Sequence, residues 1–217
     1  MCYNYYTRFK DISYLCSPFF ILSSDQINSI QVRRTKREFS KQPISLMDFT
    51  KVLFYSSFVT GRLDEFMFYP KANLTPYASS GAIDSMYLFV TVLNVEELEA
   101  GIYLYNNLDN SLYIIKDNFS KEEYNFITAN EHFCYGSSFN IYIVGDMSIK
   151  GMKYQDRAYR FLNIEAGHLA QNICLICEGL GIGVISSGGF YDDIFLEYIN
   201  IDIGEKYLLY ELILGMI

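Results

Sequence analysis

The sequence predicts an α+β protein in which a mixed, mostly antiparallel sheet is flanked by helices and a long helix lies at its centre. Three observations predict this class. Apolar runs at 102–105 and 112–115 flank a turn-rich stretch, the pattern of an antiparallel hairpin. Helix-like and strand-like segments follow one another without regular βαβ alternation. From about Gln155 to Leu180 a helical pattern is apolar on nearly all sides, as in a buried helix.

The N-terminal half begins with a capped helix. Ser45 can cap it, with Asp48 at the third helical position, and apolar residues recur at helical spacing through 46–53. Pro70 and Pro76 are expected to bracket a loop that leads into residues 78–82. The dense apolar run 86–93 then predicts a buried strand.

The C-terminal half contains the central helix. Ser120 and Glu123 form a second capping pattern that opens a short helix, and a strand is expected at 139–144. Glycines at 179, 181 and 183 end the long helix. Strands at 182–186 and 207–214 follow, with a helical segment near 191–198 between them.

Length and composition favour one domain at residues 27–217, preceded by an arm or short helix at 1–26. A net charge of −8 argues against a nucleic-acid partner. No apolar run is long enough for a membrane span and no secretory signal is recognisable, so we expect a cytoplasmic location. Five cysteines without regular spacing and two histidines predict neither a disulfide framework nor a metal site.

A cluster of cations stands out in this acidic chain. Arg33, Arg34, Lys36 and Arg37 surround the hydroxyl of Thr35. Several cations and a hydroxyl in one short segment are what a phosphate group requires. A solvated basic turn is the other interpretation, and the segment alone does not decide between them.

Two further segments could take part in chemistry. The small residues Ser79, Ser80, Gly81 and Ala82 would let backbone amides approach a flat polar ring, although ordinary loops share this composition. Lys150, Lys153, Arg157 and Arg160 are expected on one face of a helix start. Crowded cations disfavour the protonated form of a lysine, so Lys153 beside Tyr154 is a candidate proton-transfer pair. A salt-bridged surface face, with Asp156 and Glu165 as partners, is the alternative.

Other patterns are weaker. Cys174 and Cys177 form a C-x-x-C pair inside an apolar helix, where two core cysteines are the default interpretation. The glycines at 179, 181 and 183 follow a helix and precede a strand, the reverse of a dinucleotide fingerprint. Glu165 and His168 alone make no metal site, and a buried, hydrogen-bonded histidine is expected instead.

An ordered series of motifs resembles the nitroreductase superfamily and, within it, the SagB-type azoline dehydrogenases. The matching segments are Arg33-Arg34-Thr35-Lys36-Arg37-Glu38-Phe39, Pro76-Tyr77-Ala78-Ser79-Ser80-Gly81-Ala82, Gly101-Ile102-Tyr103-Leu104-Tyr105, Lys153-Tyr154 with Tyr159-Arg160, Glu165-Ala166-Gly167-His168 with Gln171-Asn172, Gly179-Leu180-Gly181, and Leu214-Gly215. The family loop usually has proline where Ala78 stands, and serine where Thr35 stands.

The resemblance implies a nitroreductase-like fold that binds FMN at a homodimer interface. Arg33, Thr35 and Arg37 would hold the phosphate, with Arg34 in support, and Ser79, Ser80, Gly81 and Ala82 would line the isoalloxazine ring. Asn172 is expected to touch the flavin, and Ser187 and Gly188 to reach the flavin of the other subunit. Lys153 and Tyr154 match the family's catalytic pair.

The function implied is oxidation of thiazoline or oxazoline rings to azoles in a modified peptide, with a cyclodehydratase complex as a possible partner. A second hypothesis is an NAD(P)H-dependent FMN reductase of nitroaromatics, quinones or activated double bonds, including dehydroamino acids. A third is a non-catalytic flavoprotein-like module that holds a peptide-modifying complex together.

Overall fold

A seven-stranded antiparallel sheet forms the centre of the molecule. The computed structural model describes residues 11–12, 26–66, 69–133, 135–201 and 204–217, so most of the predicted arm 1–26 lies outside the described residues. The strands of the described residues are β1 Asp11–Ile12, β2 Gly61–Phe66, β3 Tyr69–Leu74, β4 Met86–Val92, β5 Gly101–Asn106, β6 Ser111–Lys116, β7 Phe139–Asp146, β8 Ile182–Ser187 and β9 Lys206–Met216. Its α-helices are α1 Gln26–Val32, α2 Leu46–Ser57, α3 Lys121–Ile127, α4 Met147–Tyr154, α5 Ala158–Leu180 and α6 Asp192–Tyr198.

The sheet has the strand order β1-β6-β5-β4-β7-β9-β8, and β2 pairs with β3 in a separate hairpin. Every strand pair described is antiparallel. The prediction of a mostly antiparallel sheet is therefore confirmed. Among the described residues, the one parallel pairing is an isolated bridge between Ile44 and Val95, outside the named strands.

The two predicted helix caps are confirmed. Ser45 accepts a hydrogen bond from the N–H of Asp48 at the start of α2. Ser120 and Glu123 form a reciprocal capping box at the start of α3. Because these bonds join residues three positions apart, the local sequence alone is enough to specify them.

The two faces of the sheet carry different helices. Residues of α2 and α5 pack on one face, where Phe49, Leu162 and Leu169 are fully buried. Residues of α3 and α6 pack on the other face, where Phe195 stacks on Tyr142 of β7. The central helix α5 therefore lies against one face of the sheet, and the segments that contact α5 define the candidate site.

Two predictions about local structure are wrong. The long helix does not begin at Gln155, because Gln155 has a φ of 50° and a ψ of −136° and separates α4 from α5 with a 3₁₀ turn at Gln155–Arg157. Lys150 and Lys153 consequently lie on a different helix from Arg160. Pro70, which was expected in a loop, lies within β3 of the separate two-stranded hairpin, where proline is tolerated.

No helix in the described part of the chain is both long and apolar enough to cross a membrane.

Candidate active site

Three polar side chains of α5 hold the loop 76–83 against the helix. They are Glu165, His168 and Asn172, whose spacing places them on one helix face. Glu165 Oε1 accepts from the N–H of Ser80 at 2.7 Å, His168 Nδ1 lies 3.0 Å from the carbonyl oxygen of Ala78, and Asn172 Nδ2 donates to the carbonyl oxygen of Pro76 at 3.3 Å. This spacing fixes the small-residue loop at three successive points. His168 is exposed, so the expectation of a buried histidine is wrong.

Lys150 and Glu165 form a buried ion pair behind this loop. The Lys150 side chain is 0% exposed and that of Glu165 is 1% exposed. Lys150 Nζ donates to both carboxylate oxygens at 2.7 and 2.8 Å, to the carbonyl oxygen of Ile83 at 3.1 Å and to that of Ser80 at 3.4 Å. Burial lowers the pKa of Lys150, and the Glu165 carboxylate opposes that shift. Lys150 is therefore not part of the surface cation face expected from the sequence.

Gly81 brings the loop into contact with Lys153 and Tyr154. Its φ is +64°, in the left-handed region. A Cβ atom at this position would lie 2.6 Å from Lys153 Nζ and 2.7 Å from Tyr154 Oη. Only a residue without a side chain allows the amine, the hydroxyl and the loop backbone to meet so closely. The structure thus joins the predicted ring-lining loop and the predicted catalytic pair.

The basic segment 33–37 lies beside strands β8 and β9. The N–H of Lys36 donates to the carbonyl oxygen of Val184 at 3.3 Å, and that of Ser40 to the carbonyl oxygen of Met216 at 2.8 Å. Phe39 packs where a Cβ on Gly215 would lie 2.7 Å from its ring. Backbone hydrogen bonds and a glycine therefore hold the segment and the residues that follow it.

The side chains of this segment have different environments. Arg33 is half-buried, whereas Arg34, Thr35 and Arg37 are exposed. Arg34 Nη1 donates to the carbonyl oxygens of Gln31 and Arg33, so Arg34 supports the end of α1.

Arg33 acts on the neighbouring helix α5. Burial raises the pKa of the Cys174 thiol, and a hydrogen bond with Ser186 and then the positive charge of Arg33 oppose this rise. Cys174 and Cys177 are free and buried, in agreement with two core cysteines.

The predicted site residues fall into groups arranged along α5. The ring-lining loop contacts α5 between Glu165 and Asn172, while Arg33 and α1 adjoin its C-terminal half near Cys174. At 1.5 Å per residue, Glu165 and Cys174 are about 13 Å apart along the helix axis. The amide of Asn172, expected at the flavin, also holds the backbone of Pro76.

Sequence reasoning missed a buried polar network beneath the turn that carries Ser187 and Gly188. Glu211 is 0% exposed and accepts hydrogen bonds from Thr128, Asn130 and Asn140. Asn130 in turn donates to the carbonyl oxygen of Gly189 and accepts from Ser187 Oγ. Burial raises the pKa of Glu211, and these hydrogen bonds oppose the rise. No local pattern marked the Asn130 side chain, because the partners of its amide group are 57 or more positions away.

Among the described residues, no group of three or more His, Cys, Asp or Glu side chains is arranged to hold a metal ion.

The fold and this site place the chain in a known family. The sequence profile of the Nitroreductase family matches residues 30–216, and the chain belongs to this family. It is 30% identical over 169 residues to a protein of Methanocaldococcus jannaschii that carries the name nitroreductase, an alignment covering 78% of this chain and 81% of that protein.

Solved structures share the fold. A nitroreductase-type protein of Anabaena variabilis is 25% identical with a TM-score of 0.70, covering 89% of this chain; the chain spans only 38% of that protein. A chain of the Escherichia coli microcin synthetase McbBCD complex, solved with a truncated pro-microcin bound, is 20% identical with a TM-score of 0.69, covering 98% of this chain and 79% of that one. A Desulfovibrio desulfuricans protein solved in complex with FMN is 14% identical with a TM-score of 0.55, covering 89% of this chain and 87% of that one.

Proposed function

We propose that this member of the Nitroreductase family is an FMN-dependent dehydrogenase that oxidises azoline rings to azoles in a peptide substrate. One observation carries the proposal: Gly81, Lys153 and Tyr154 converge, with the amine and the hydroxyl both within 2.7 Å of one point beside the loop. Both groups can take part in proton transfer, and they adjoin a loop suited to a flat ring.

The residues present fit FMN. The left-handed backbone at Gly81 and Ala82 and the missing Cβ bring the loop backbone close to Lys153 and Tyr154, the close approach that a loop lining a flat ring needs. Arg33, Thr35 and Arg37 provide two cations and a hydroxyl for the phosphate, while Arg34 secures the segment. Ser79 and Ser80 border the ring position, and Asn172 keeps the loop in place. The relative solved with FMN has the same fold, which supports this assignment.

The proposed reaction removes one proton and one hydride from adjacent ring carbons of the azoline. Bound FMN supplies the hydride acceptor, and dioxygen is the expected oxidant that restores it. The amine of Lys153 takes the proton, and the hydroxyl of Tyr154 orients the ring or shares the proton. The cation of Lys150 stays paired with Glu165 and so does not compete with Lys153 for this role.

The fold neighbour in a microcin synthetase complex supports a peptide substrate. That structure contains a bound pro-peptide and partner subunits. Together with the Lys153-Tyr154 motif it favours a peptide over a small nitro compound, and a cyclodehydratase complex as the partner that makes the azoline. A homodimer, with Ser187 and Gly188 directed to the flavin of the second subunit, completes the proposed assembly.

An NAD(P)H-dependent reductase is the second candidate, and a specific observation favours it. The relative in Methanocaldococcus jannaschii carries the name nitroreductase and is 30% identical. Anaerobic mixing with NADPH separates the two functions. Reduction of the flavin within the turnover time favours the reductase, whereas slow reduction together with rapid bleaching by an azoline peptide favours the dehydrogenase.

The decisive test combines FMN reconstitution with a synthetic thiazoline peptide. We expect a yellow protein and a product lighter by two hydrogens. Lys153→Ala should lower the rate by roughly 100- to 10,000-fold, the usual contribution of a general base. Tyr154→Phe should cause a smaller loss. FMN content and melting temperature should change little in either variant.

Lys51→Ala is the control, because Lys51 pairs with Asp48 on the surface of α2 and such pairs contribute little. Wild-type turnover by Lys153→Ala would contradict the catalytic assignment while leaving the fold intact. A protein that cannot be reconstituted with FMN would contradict the function as a whole and favour a non-catalytic module.

A further inference from the structure

We infer that the buried Lys150–Glu165 pair positions the ring-lining loop 76–83, an inference that rests on the proposed function. The pair joins three separate segments of the chain. Lys150 belongs to α4, Glu165 to α5, and both contact the backbone of Ser80 in the loop between β3 and β4.

The hydrogen bonds fix the orientation of the loop. Glu165 Oε1 accepts from the N–H of Ser80 at 2.7 Å, and Lys150 Nζ donates to the carbonyl oxygens of Ser80 and Ile83. The peptide groups on either side of Gly81 and Ala82 are therefore held from behind. Both residues have left-handed backbones, a conformation that glycine adopts freely but that strains Ala82, so Ala82 would relax without such restraint.

Stability alone gives a weak reason for this arrangement. Removing two charges from water costs more than their attraction returns unless the remaining hydrogen bonds are satisfied, and apolar replacements of buried pairs are often neutral or stabilising. In this pair the remaining bonds go to the loop that faces Lys153 and Tyr154. The charges thus hold a backbone that an apolar pair would leave unrestrained.

Lys150 and Lys153 have separate roles on the same helix. They lie one turn apart on α4, yet Lys150 is fully buried in its ion pair while Lys153 Nζ is half-buried beside Gly81. The pair also brings α4 to α5 across the break at Gln155. It therefore sets the position of Lys153 relative to the loop.

The test replaces both charges at once. In Lys150→Met/Glu165→Met no charge is left uncompensated, so the melting temperature should lie above that of Lys150→Met. FMN should nevertheless bind about tenfold more weakly because the loop amides lose their fixed positions. Turnover per bound flavin should fall on the order of 100-fold, the effect of a 1 Å misplacement. The visible spectrum of bound flavin should shift.

A second measurement needs no flavin and keeps the inference separate from the proposed function. Hydrogen exchange of a peptide covering residues 76–83 is followed in the FMN-free protein. Glu165→Gln, which keeps the side-chain shape and removes the charge, should increase exchange in this peptide. Phe195→Leu is the control, because Phe195 is fully buried in the other core and does not contact the loop.

The outcomes are distinct. Unchanged exchange in Glu165→Gln, or wild-type turnover and flavin spectrum in the double variant, would overturn the positioning role. Increased exchange confined to 76–83 supports it even if the protein is not an azoline dehydrogenase. Failure of the wild-type chain to oxidise thiazoline peptides, with the exchange result intact, would count against the proposed function alone.

Discussion

At the scale of single residues, the site depends on the absence of a side chain at Gly81. The Cβ absent from Gly81 would occupy the space between Lys153 Nζ and Tyr154 Oη. The same residue has a φ of +64°, and Ala82 beside it has a φ of 51°. Glycine adopts the left-handed region without strain, but alanine does not, and an alanine in this region persists only where surrounding contacts enforce it.

Gly81→Ala should therefore affect activity more than stability. The added methyl group costs roughly 1–2 kcal/mol at positive φ and must displace the ends of Lys153 and Tyr154. We expect a folded protein with a lower melting temperature, weaker FMN binding and little azoline oxidation, measured by thermal denaturation, flavin titration and turnover. Gly151→Ala is the matched control: its Cβ would meet nothing within 4 Å and should stabilise α4 by about 0.5–1 kcal/mol. Equal activity in the two variants would contradict this interpretation of Gly81.

At the scale of elements, α5 organises most of the site, because it contacts the loop 76–83 and adjoins α1. Its side chains at 165, 168 and 172 hold the loop, and its C-terminal half adjoins α1 and the basic segment. The turn after β8 depends on a different restraint, the network of Glu211 and Asn130 on the strand side.

The variant Glu211→Gln tests the network of Glu211 and Asn130 through the pH dependence of the free energy of unfolding. Because burial raises the folded-state pKa of Glu211 above 4.5, the folded protein binds this proton more tightly than the unfolded chain does. The contribution of Glu211 to the free energy of unfolding therefore falls as pH rises from that value through the raised pKa. Glutamine has no such titration, so urea denaturation between about pH 4 and pH 8 should show a weaker pH dependence in the variant. Its amide would also face the donors of Asn130 and Asn140, at a cost of about 1–3 kcal/mol.

Glu197→Gln is the control for this experiment, because Glu197 is exposed on α6. It should keep the pH profile of the wild-type protein. If Glu211→Gln also keeps that profile, the Glu211 carboxylate does not titrate differently in the two states.

The same elements show what the sequence could specify. The caps at Ser45 and Ser120 depend on bonds over three residues, and the hairpin of β5 and β6 on a local turn, so all were predictable. The break at Gln155 was not, since glutamine has no preference for a φ of 50°. Because of this break, α4 and α5 are separate helices, and Lys150 forms a buried ion pair with Glu165 where the sequence predicted a face of cations. Long-range contacts of this kind leave no periodic signal in the sequence.

At the scale of the whole molecule, large apolar side chains are exposed on α4 and on the N-terminal half of α5. Met152 is 70% exposed, Tyr159 50% and Ile164 47%. In the proposed homodimer, these exposed side chains pack against the second copy. Contacts across such a two-fold interface occur twice, so one substitution acts at two places.

Ile164→Glu should weaken the homodimer because each subunit would bury a charge without a partner. Light scattering after gel filtration should show a shift toward the monomer mass, with retained circular dichroism. FMN content should fall with the dimer fraction, since Ser187 and Gly188 are expected to serve the flavin of the second subunit. Phe126→Glu is the matched control, because Phe126 is 60% exposed on α3, on the opposite side of the sheet. An Ile164→Glu protein that remains dimeric would show that the face that carries Ile164 is not the dimer interface, and a monomer that keeps full FMN affinity would show that the flavin site does not require the dimer.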